Sequence, residues 1–359
     1  MLFLALLLGG CRDERIIEKM GFVRTLAFDT AENGDLKVTV SIPKSNQRDV
    51  ILYTAVAKSA RQANIIFDRQ NDRRIVNGQL RQILFSVNAA RRNVLQVIDA
   101  LLRDPAIGNR THLVVVDGEP DKMLEAKYIQ AKTSGEYLED LIRSEIKMMD
   151  IPVSNMHTFV RDSYDDGIDP VMAVIRQTPN SIIVDGIALF QGDRYVGKIE
   201  AEDKMYFGML HSNLQSGDLA IQFPDEGYSS DIASLLYLKT SRKIRVERTG
   251  PAEDGGGRRV RIHIRVLGAL MEYRGGLQLE RKEQQKKLEA EIARYIQEKC
   301  EETVGRMQQL GSDAIGVGQR VRNSMSYREW KKLNWAEEFS KTKIEVQVEA
   351  GIRNFGEFQ

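Results

Sequence analysis

Residues 80–116, LRQILFSVNAARRNVLQVIDALLRDPAIGNRTHLVVV, decide the fold. Leu80–Val87 is short, apolar and rich in branched and aromatic side chains, which predicts a strand. Asn88–Leu102 places Val94, Leu95, Ile98, Leu101 and Leu102 three and four residues apart, which predicts a helix. Asp104-Pro105 stops it, because proline has no amide hydrogen and clashes with the preceding turn. His112–Val116 is a compact apolar run closed by Asp117-Gly118, as a buried strand would be. Strand, helix, strand predicts a βαβ-like unit with its two strands parallel.

Working outward towards the N-terminus, Gly21–Asp29 and Leu36–Ile42 read as strands joined by turn chemistry over Ala31–Asp35, and Tyr53–Gln62 as a short helix. Towards the C-terminus, Tyr137–Met149 is an amphipathic helix that stops at Ile151-Pro152. Ser181–Phe190 and Tyr195–Ile199 form a hairpin over residues 191–194, and Glu202–Leu210 a short helix. A new unit starts near Ser216-Gly217, with strands over Leu219–Phe223, Ile232–Thr249 and Arg258–Tyr273. Gly255-Gly256-Gly257 is a hairpin tip between the last two. Gln278–Gln309 is the longest helix, carrying Leu288, Ile292, Tyr295, Ile296, Cys300, Val304 and Met307 on its apolar stripe, with Gly311 placed to end it. Tyr327–Phe339 reads as one more helix and Lys343–Val348 as an alternating edge or half-buried strand. The class is α+β and multidomain, with mixed sheets and packed helices. An α/β region over 21–210, in two subdomains, precedes a C-terminal α+β domain over 213–359 that holds the long helix.

The 359 residues, 42% hydrophobic, are enough for two or three cores. Lys+Arg 52 against Asp+Glu 51 leaves no global field to favour nucleic acid. The basic clusters Arg73-Arg74, Arg91-Arg92 and Arg258-Arg259-Arg261 read as solvated faces. Two cysteines rule out a disulfide framework; Cys300 reads as a small core residue, and Cys11 is a separate case.

Met1–Leu8, MLFLALLL, is too short to cross a bilayer, which takes about 20 residues. It fits the apolar part of a signal peptide over residues 1–10, although no Lys or Arg precedes it. Leu8-Gly9-Gly10-Cys11 resembles the lipobox of bacterial lipoproteins, whose implication is a diacylglyceryl group on Cys11 and a tether over 11–20. Two acyl chains hold firmly where one binds marginally.

A search for catalytic chemistry gives no constellation. His112, His157, His211 and His263 are far apart and lack metal-ligand spacing, and His112 and His263, inside strand patterns, read as satisfied structural residues. There is no GxSxG, P-loop or GxGxxG. Ile315-Gly316-Val317-Gly318 reads as a turn between helices, and Asp165-Asp166-Gly167-Ile168-Asp169 as a solvated loop without the distal Glu of a calcium site. Asn109-Arg110-Thr111 matches a glycosylation sequon by chance. The expectation is a binding or assembly protein with no metal and no cofactor.

Several segments together resemble the Ger(x)C family of spore germination lipoproteins, the C subunits of nutrient germinant receptors. They are Cys11-Arg12-Asp13 with Gly21-Phe22-Val23 beyond it, the stretch Asp185–Gly197, and the C-terminal stretch through Tyr327, Trp330-Lys331, Trp335, Phe339, Lys343–Val348 and Gly351. Arg12 stands where the family typically has Trp. The resemblance implies several α/β domains of unusual topology and a place on the outer face of the spore inner membrane. It also implies association with two integral membrane subunits, the A-type and B-type, and no enzymatic activity. Trp330 and Trp335 are candidates for partner contact, with the core as their alternative role. Two other classes compete. A solute-binding lipoprotein serving a permease needs two similar lobes around a cleft, whereas the halves here differ. A cell-wall hydrolase needs a recognisable nucleophile or acid pair.

Overall fold

The structure is a computed structural model, and it describes residues 20–44, 49–128, 133–149, 151–223, 231–248 and 258–354. Cys11 and its leader, and the expected hairpin tip at 255–257, lie outside the described residues.

Strands β2 (Thr25–Thr30), β3 (Leu36–Pro43), β4 (Val50–Ala57), β6 (Gln82–Ser86), β7 (His112–Asp117), β8 (Val171–Gln177), β9 (Ile182–Gln191) and β10 (Arg194–Glu200) form one eight-stranded sheet. Its order is β10-β9-β8-β7-β6-β2-β3-β4. A small parallel pair, β1 (Met20–Phe22) with β5 (Arg74–Val76), stands beside it. The middle of the sheet is parallel (β2–β6, β6–β7, β7–β8), and both flanks are antiparallel. The parallel pairing expected around residues 80–116 is present, with Gln82 opposite His112 and Phe85 opposite Val115.

Both faces of this sheet are covered, which is why the middles of its central strands, Ile83–Phe85 and Leu113–Val116, are continuous apolar runs. Ile83, Phe85, Leu113 and Val115 point one way, with Phe28, Phe67 of α1 (Ala60–Gln70), Ile98 of α3 (Val94–Leu102) and Phe159 of α6 (Met156–Tyr164). Leu84, Val114 and Val116 point the other way, towards Met123 of α4 (Pro120–Glu125) and Leu138 and Ile142 of α5 (Ser134–Met148).

Several boundaries differ from the sequence reading. Tyr53–Gln62 is not a helix. Val50–Ala57 pairs with β3, Thr39 and Thr54 sharing a hydroxyl contact of 2.9 Å, and the helix begins only after the Ser59 cap. Four β-branched residues in VILYTAVA favour the pleated sheet over the helix. The helix expected over Asn88–Leu102 is two, α2 (Val87–Ala90) and α3, because Asn93 accepts from Gln96 N at 2.9 Å and starts a new helix. Gly21–Asp29 is split between β1 and β2. Strand β8 and helix α6 were not expected.

The second sheet runs β11 (Leu219–Gln222), β12 (Ile232–Arg248), β13 (Arg258–Arg274), β14 (Lys343–Asn354), antiparallel except for the parallel β13–β14 pair. Helix α8 (Lys282–Leu310) lays Leu288, Ile292, Ile296, Cys300, Val304 and Met307 into one core with Val260, Ile262, Ile264 and Val266, which are alternate residues of β13. Gly311 ends α8 in the left-handed conformation, φ 64°, as its position implied. Cys300 is buried, and burial raises its thiol pKa. Helix α7 (Lys204–His211) lies between the two sheets in sequence, and beyond α8 come three short helices, α9 (Val317–Arg322), α10 (Tyr327–Trp330) and α11 (Trp335–Lys341). The one helix expected over Tyr327–Phe339 is thus α10 and α11, the first fixed by a capping box between Ser326 and Glu329.

Candidate functional site at the seam between the sheets

The segment Gly311–Gly318, GSDAIGVG, leaves α8 and passes between the two sheets. Five of its residues are hydrogen-bonded to distant parts of the chain, beginning with Gly311 O, which accepts from Gln191 Nε2 at 3.3 Å. Ser312 Oγ donates to Phe190 O at 2.6 Å, at the end of β9. Asp313 N donates to Asp169 Oδ2 at 2.8 Å, and Asp169 N donates back to Asp313 O at 3.0 Å. Ala314 O accepts from His211 Nδ1 at 2.9 Å, at the last residue of α7. Ile315 O accepts from Arg242 at 3.1 Å, and the same guanidinium donates to Leu210 O. Gly192 N, in the β9–β10 turn, donates to Asp169 Oδ1 at 2.8 Å. Buried polar groups are tolerable only when paired, and this strap pairs them with both sheets.

Asp313 is the centre. It is 1% exposed, and its carboxylate accepts from Val317 N (2.9 Å), Gly318 N (2.6 Å) and the Trp335 indole Nε1 (2.9 Å). Burial pushes its carboxyl up to about 6, against the pull of those three donors, and neighbouring Asp169 adds to the rise. Burial also raises Asp169, lowers His211, and brings Arg242 down to about 10 with help from Arg320. A Cβ on Gly318 would overlap the Trp335 indole, so only glycine lets that N–H reach the carboxylate.

The loop expected to be solvated, Asp165–Asp169, is the other half of the seam. Asp165 accepts from Arg322 (2.8 Å) and Gln319 (3.0 Å), Asp166 pairs with Lys331 at 3.0 Å, and Asp169 is inside. A Cβ on Gly167 would stand 2.5 Å from Gln319 N. The physical reason for the correction is that each carboxylate meets a donor more than 140 residues away in the chain, invisible to any local window. Of Ile315–Gly318, read as a turn between helices, only Ile315 and Gly316 lie in the turn, Gly316 at φ 72°; Val317 and Gly318 open α9.

Trp330 is 4% exposed, its ring centroid 5.7 Å from that of Trp335, which lies 6.0 Å from Phe339. Both indoles therefore belong to the seam. His263 lies in β13 and faces Glu349 at 3.1 Å. His112 opens β7, and its Nδ1 is buried without a hydrogen-bond partner, so it is structural but not fully satisfied; burial lowers its pKa.

A second buried charge group lies in the hairpin β9–β10. Asp185 accepts from Lys198 at 2.6 Å and Arg176 at 3.0 Å. Burial pushes its carboxyl up, but those two hydrogen bonds and charges outweigh it and hold it below the ordinary range. Among the described residues no group of three or more His, Cys, Asp or Glu is placed to hold a metal ion. Chemically the seam is a hydrogen-bonded rivet. Sequence reasoning missed Asp313, Asp169, His211 and Arg242. The only signal was that two turn-like stretches, residues 165–169 and 315–318, each carried more Asp or Gly than an ordinary loop needs.

The fold and seam define an α+β protein of two mixed sheets riveted by one buried strap. Residues 13–177 match the N-terminal domain of spore germination proteins, and residues 185–356 match the spore germination B3/GerAC-like C-terminal domain. The chain belongs to the Ger(x)C family of spore germination proteins. It is 24% identical over 358 residues to the spore germination protein GerQC of Bacillus cereus, covering 99% of this chain and 97% of that one. Its fold is similar to the crystal structure of the GerBC protein, with a TM-score of 0.59 at 17% identity, over 95% of this chain and 99% of that one.

Proposed function

We propose that this protein is the lipid-anchored, non-catalytic C subunit of a nutrient germinant receptor, required for nutrient-triggered spore germination. One observation carries the reading: the two spore germination domains match in order along the chain, from residue 13 to residue 356. Acyl chains on Cys11 fasten the body to the outer face of the spore inner membrane, where it joins the A-type and B-type integral membrane subunits. No described helix is long and apolar enough to cross a membrane; the two acyl chains of a diacylglyceryl group are sufficient for stable attachment. The body is divided into 21–210 and 213–359, a division supported by the link between β10 and β11 that separates the strands of the two sheets. Trp330 and Trp335 act on partners indirectly, by holding the seam.

Two measurements test this. In spores, a fatty-acid probe labels the wild type and leaves Cys11→Ala unlabelled and released from membranes; label on the Ala variant removes the anchor from the proposal. Affinity purification from detergent-solubilised spore membranes retains the A-type and B-type subunits, and their absence removes the receptor assignment. Replacing Trp335 by Phe and following both the melting transition and subunit retention separates the seam role from direct contact: retention lost with the melt unchanged means direct contact.

A further inference from the structure

Strands β12, β13 and β14 present one face to α8 and leave the other without a covering element among the described residues. On that open face the register aligns Lys243 with His263 and Gln347, Arg245 with Arg261 and Glu345, and Glu247 with Arg259 and Lys343. With Arg265 and Glu349 one step further on, six cations meet three carboxylates. The carboxylates are already engaged: Glu247 with Arg261 at 2.7 Å, Glu345 with Arg259 at 3.3 Å, Glu349 with Arg265 at 3.1 Å. Lys243 and Arg245 are exposed with no carboxylate partner among the described residues.

The same face turns apolar farther along. Leu236 stands opposite Ala269, Leu267 opposite Lys239, and Met271 is 58% exposed. Next to Leu236 a bulge turns Tyr237 outward, 70% exposed and in the left-handed conformation at φ 54°, a backbone state tyrosine rarely adopts. Asp218 accepts from the Tyr237 amide and the bulge seats Leu238 in the core, so the backbone state serves the fold, while the exposed ring itself adds nothing to the core and is free to meet something outside it.

We propose that this open sheet face lies on the anionic lipid surface of a bilayer. The basic rows meet lipid phosphates, and Tyr237, Met271 and Leu267 enter the headgroup region. The extent favours lipid over an acidic protein: the open face runs along strands of 17 residues, roughly 55 Å. Basic side chains beside exposed apolar and aromatic ones on a single face are the composition of peripheral membrane surfaces. The inference rests on the membrane placement proposed above and gives it an orientation. The tether leads into β1, which contacts β3, while α8 and the strap after it, which carry the second sheet, meet the first sheet at β10 and β9, the other end of the strand order. A contact at each end fixes how the body stands on the bilayer, which one flexible tether cannot do.

The test uses the full chain with Cys11→Ser, so that no acyl group contributes, and phosphatidylcholine vesicles with or without phosphatidylglycerol. Cosedimentation is expected only with the anionic vesicles and is lost in high salt. The double variant Lys243→Gln with Arg245→Gln binds about thirty-fold more weakly, each cation near an anionic surface contributing a factor of about five. Tyr237→Ser weakens binding to the same vesicles while leaving its salt dependence intact. Circular dichroism melts confirm that each variant is folded. Equal binding to both vesicle types, or by the double variant, overturns the proposal. So does a double variant that loses the A-type or B-type subunit from spore membranes while the parent chain ignores vesicles, since the face would then be a protein contact. Acyl labelling at Cys11 is read separately, so failure of the anchor and failure of this surface are distinguishable.

Discussion

The two sheets of this protein differ in how they are covered, and the difference governs what each can tolerate. Helices close both faces of the eight-stranded sheet, and its central strands β6 and β7 are buried at nearly every residue. The four-stranded sheet is closed on one face only, and β13 alternates between buried Val260, Ile262, Ile264 and the charged residues between them. A doubly covered sheet has no side on which to place an error.

The largest expected effect follows from that. Gly186 in β9 sits at a bulge with φ 137°, and a Cβ there would overlap the carbonyl of Ile199 in the neighbouring strand. Gly186→Val combines a forbidden backbone with an overlap that only strand separation relieves. We expect a loss exceeding about 4 kcal/mol, read as absence of a cooperative urea transition or of soluble protein. A normal transition would show that β10 can move aside and that the sheet's flank is less constrained than its centre.

Next is the seam that joins the sheets. Asp313→Ala leaves the N–H groups of Val317, Gly318 and Trp335 without their acceptor, each in a buried place. The expected cost is about 3 kcal/mol or more, with the two sheets unfolding in separate transitions instead of one. The wild type carries a pH signature that the Ala variant lacks. Because the folded-state pKa of Asp313 is raised to about 6 from an unfolded value near 3.8, the native state holds this proton more tightly. The group's contribution is therefore fully present below about pH 4 and lost as pH rises through about 6, a change on the order of 3 kcal/mol. His211, whose pKa is lowered by burial, works in the opposite direction, its contribution being lost as pH falls. The difference between wild type and Asp313→Ala, measured by urea unfolding from pH 4 to 7, should narrow as pH rises. A flat difference would mean the carboxyl is not desolvated.

How much of this was legible follows the same division. Residues 80–116 gave away their parallel pairing because full burial leaves an unbroken apolar run, and α8 showed its stripe from Leu288 to Met307 because one face of a long helix is buried. Tyr53 misled because VILYTAVA is apolar or neutral throughout, and only the hydroxyl pair with Thr39 and the Ser59 cap separate strand from helix. The seam was illegible for a different reason. Asp169 and Asp313 are joined across 144 residues, and their carboxylates look like loop chemistry until the fold buries them. The cap at Asn93, which divides one apolar stripe into α2 and α3, could have been read from Asn alone, since that residue favours helix starts over helix interiors.

A smaller effect isolates one bond of the seam. Trp335→Phe keeps most of the ring packing against Trp330 and Phe339 and deletes only the indole donor to Asp313. The carboxylate retains its two backbone donors, so the expected loss is about 1 kcal/mol, short of that for Asp313→Ala, by urea unfolding at pH 5, where the carboxyl's contribution is still present. A loss as large as that of the Ala variant would show the indole to be the dominant partner.

The smallest effect sharpens the comparison most. Lys243 and Arg245 lie on the open face, exposed and without carboxylate partners among the described residues, one position away from Ile244 on the covered face of the same strand. Across the ladder Ile244 stands opposite Ile262, which is fully buried against α8's core. Replacing Lys243 and Arg245 by Gln should change stability by no more than about 0.5 kcal/mol, since exposed side chains with nothing to lose contribute little. Ile262→Ala should cost about 2–5 kcal/mol through the cavity it leaves. If the double Gln variant were as destabilised as Ile262→Ala, the face taken as open would have to be packed against something, and the asymmetry between the two sheets would disappear. If the two differ as expected, charge on that face is under no demand from the fold, and its excess of cations has to be explained by what lies outside it.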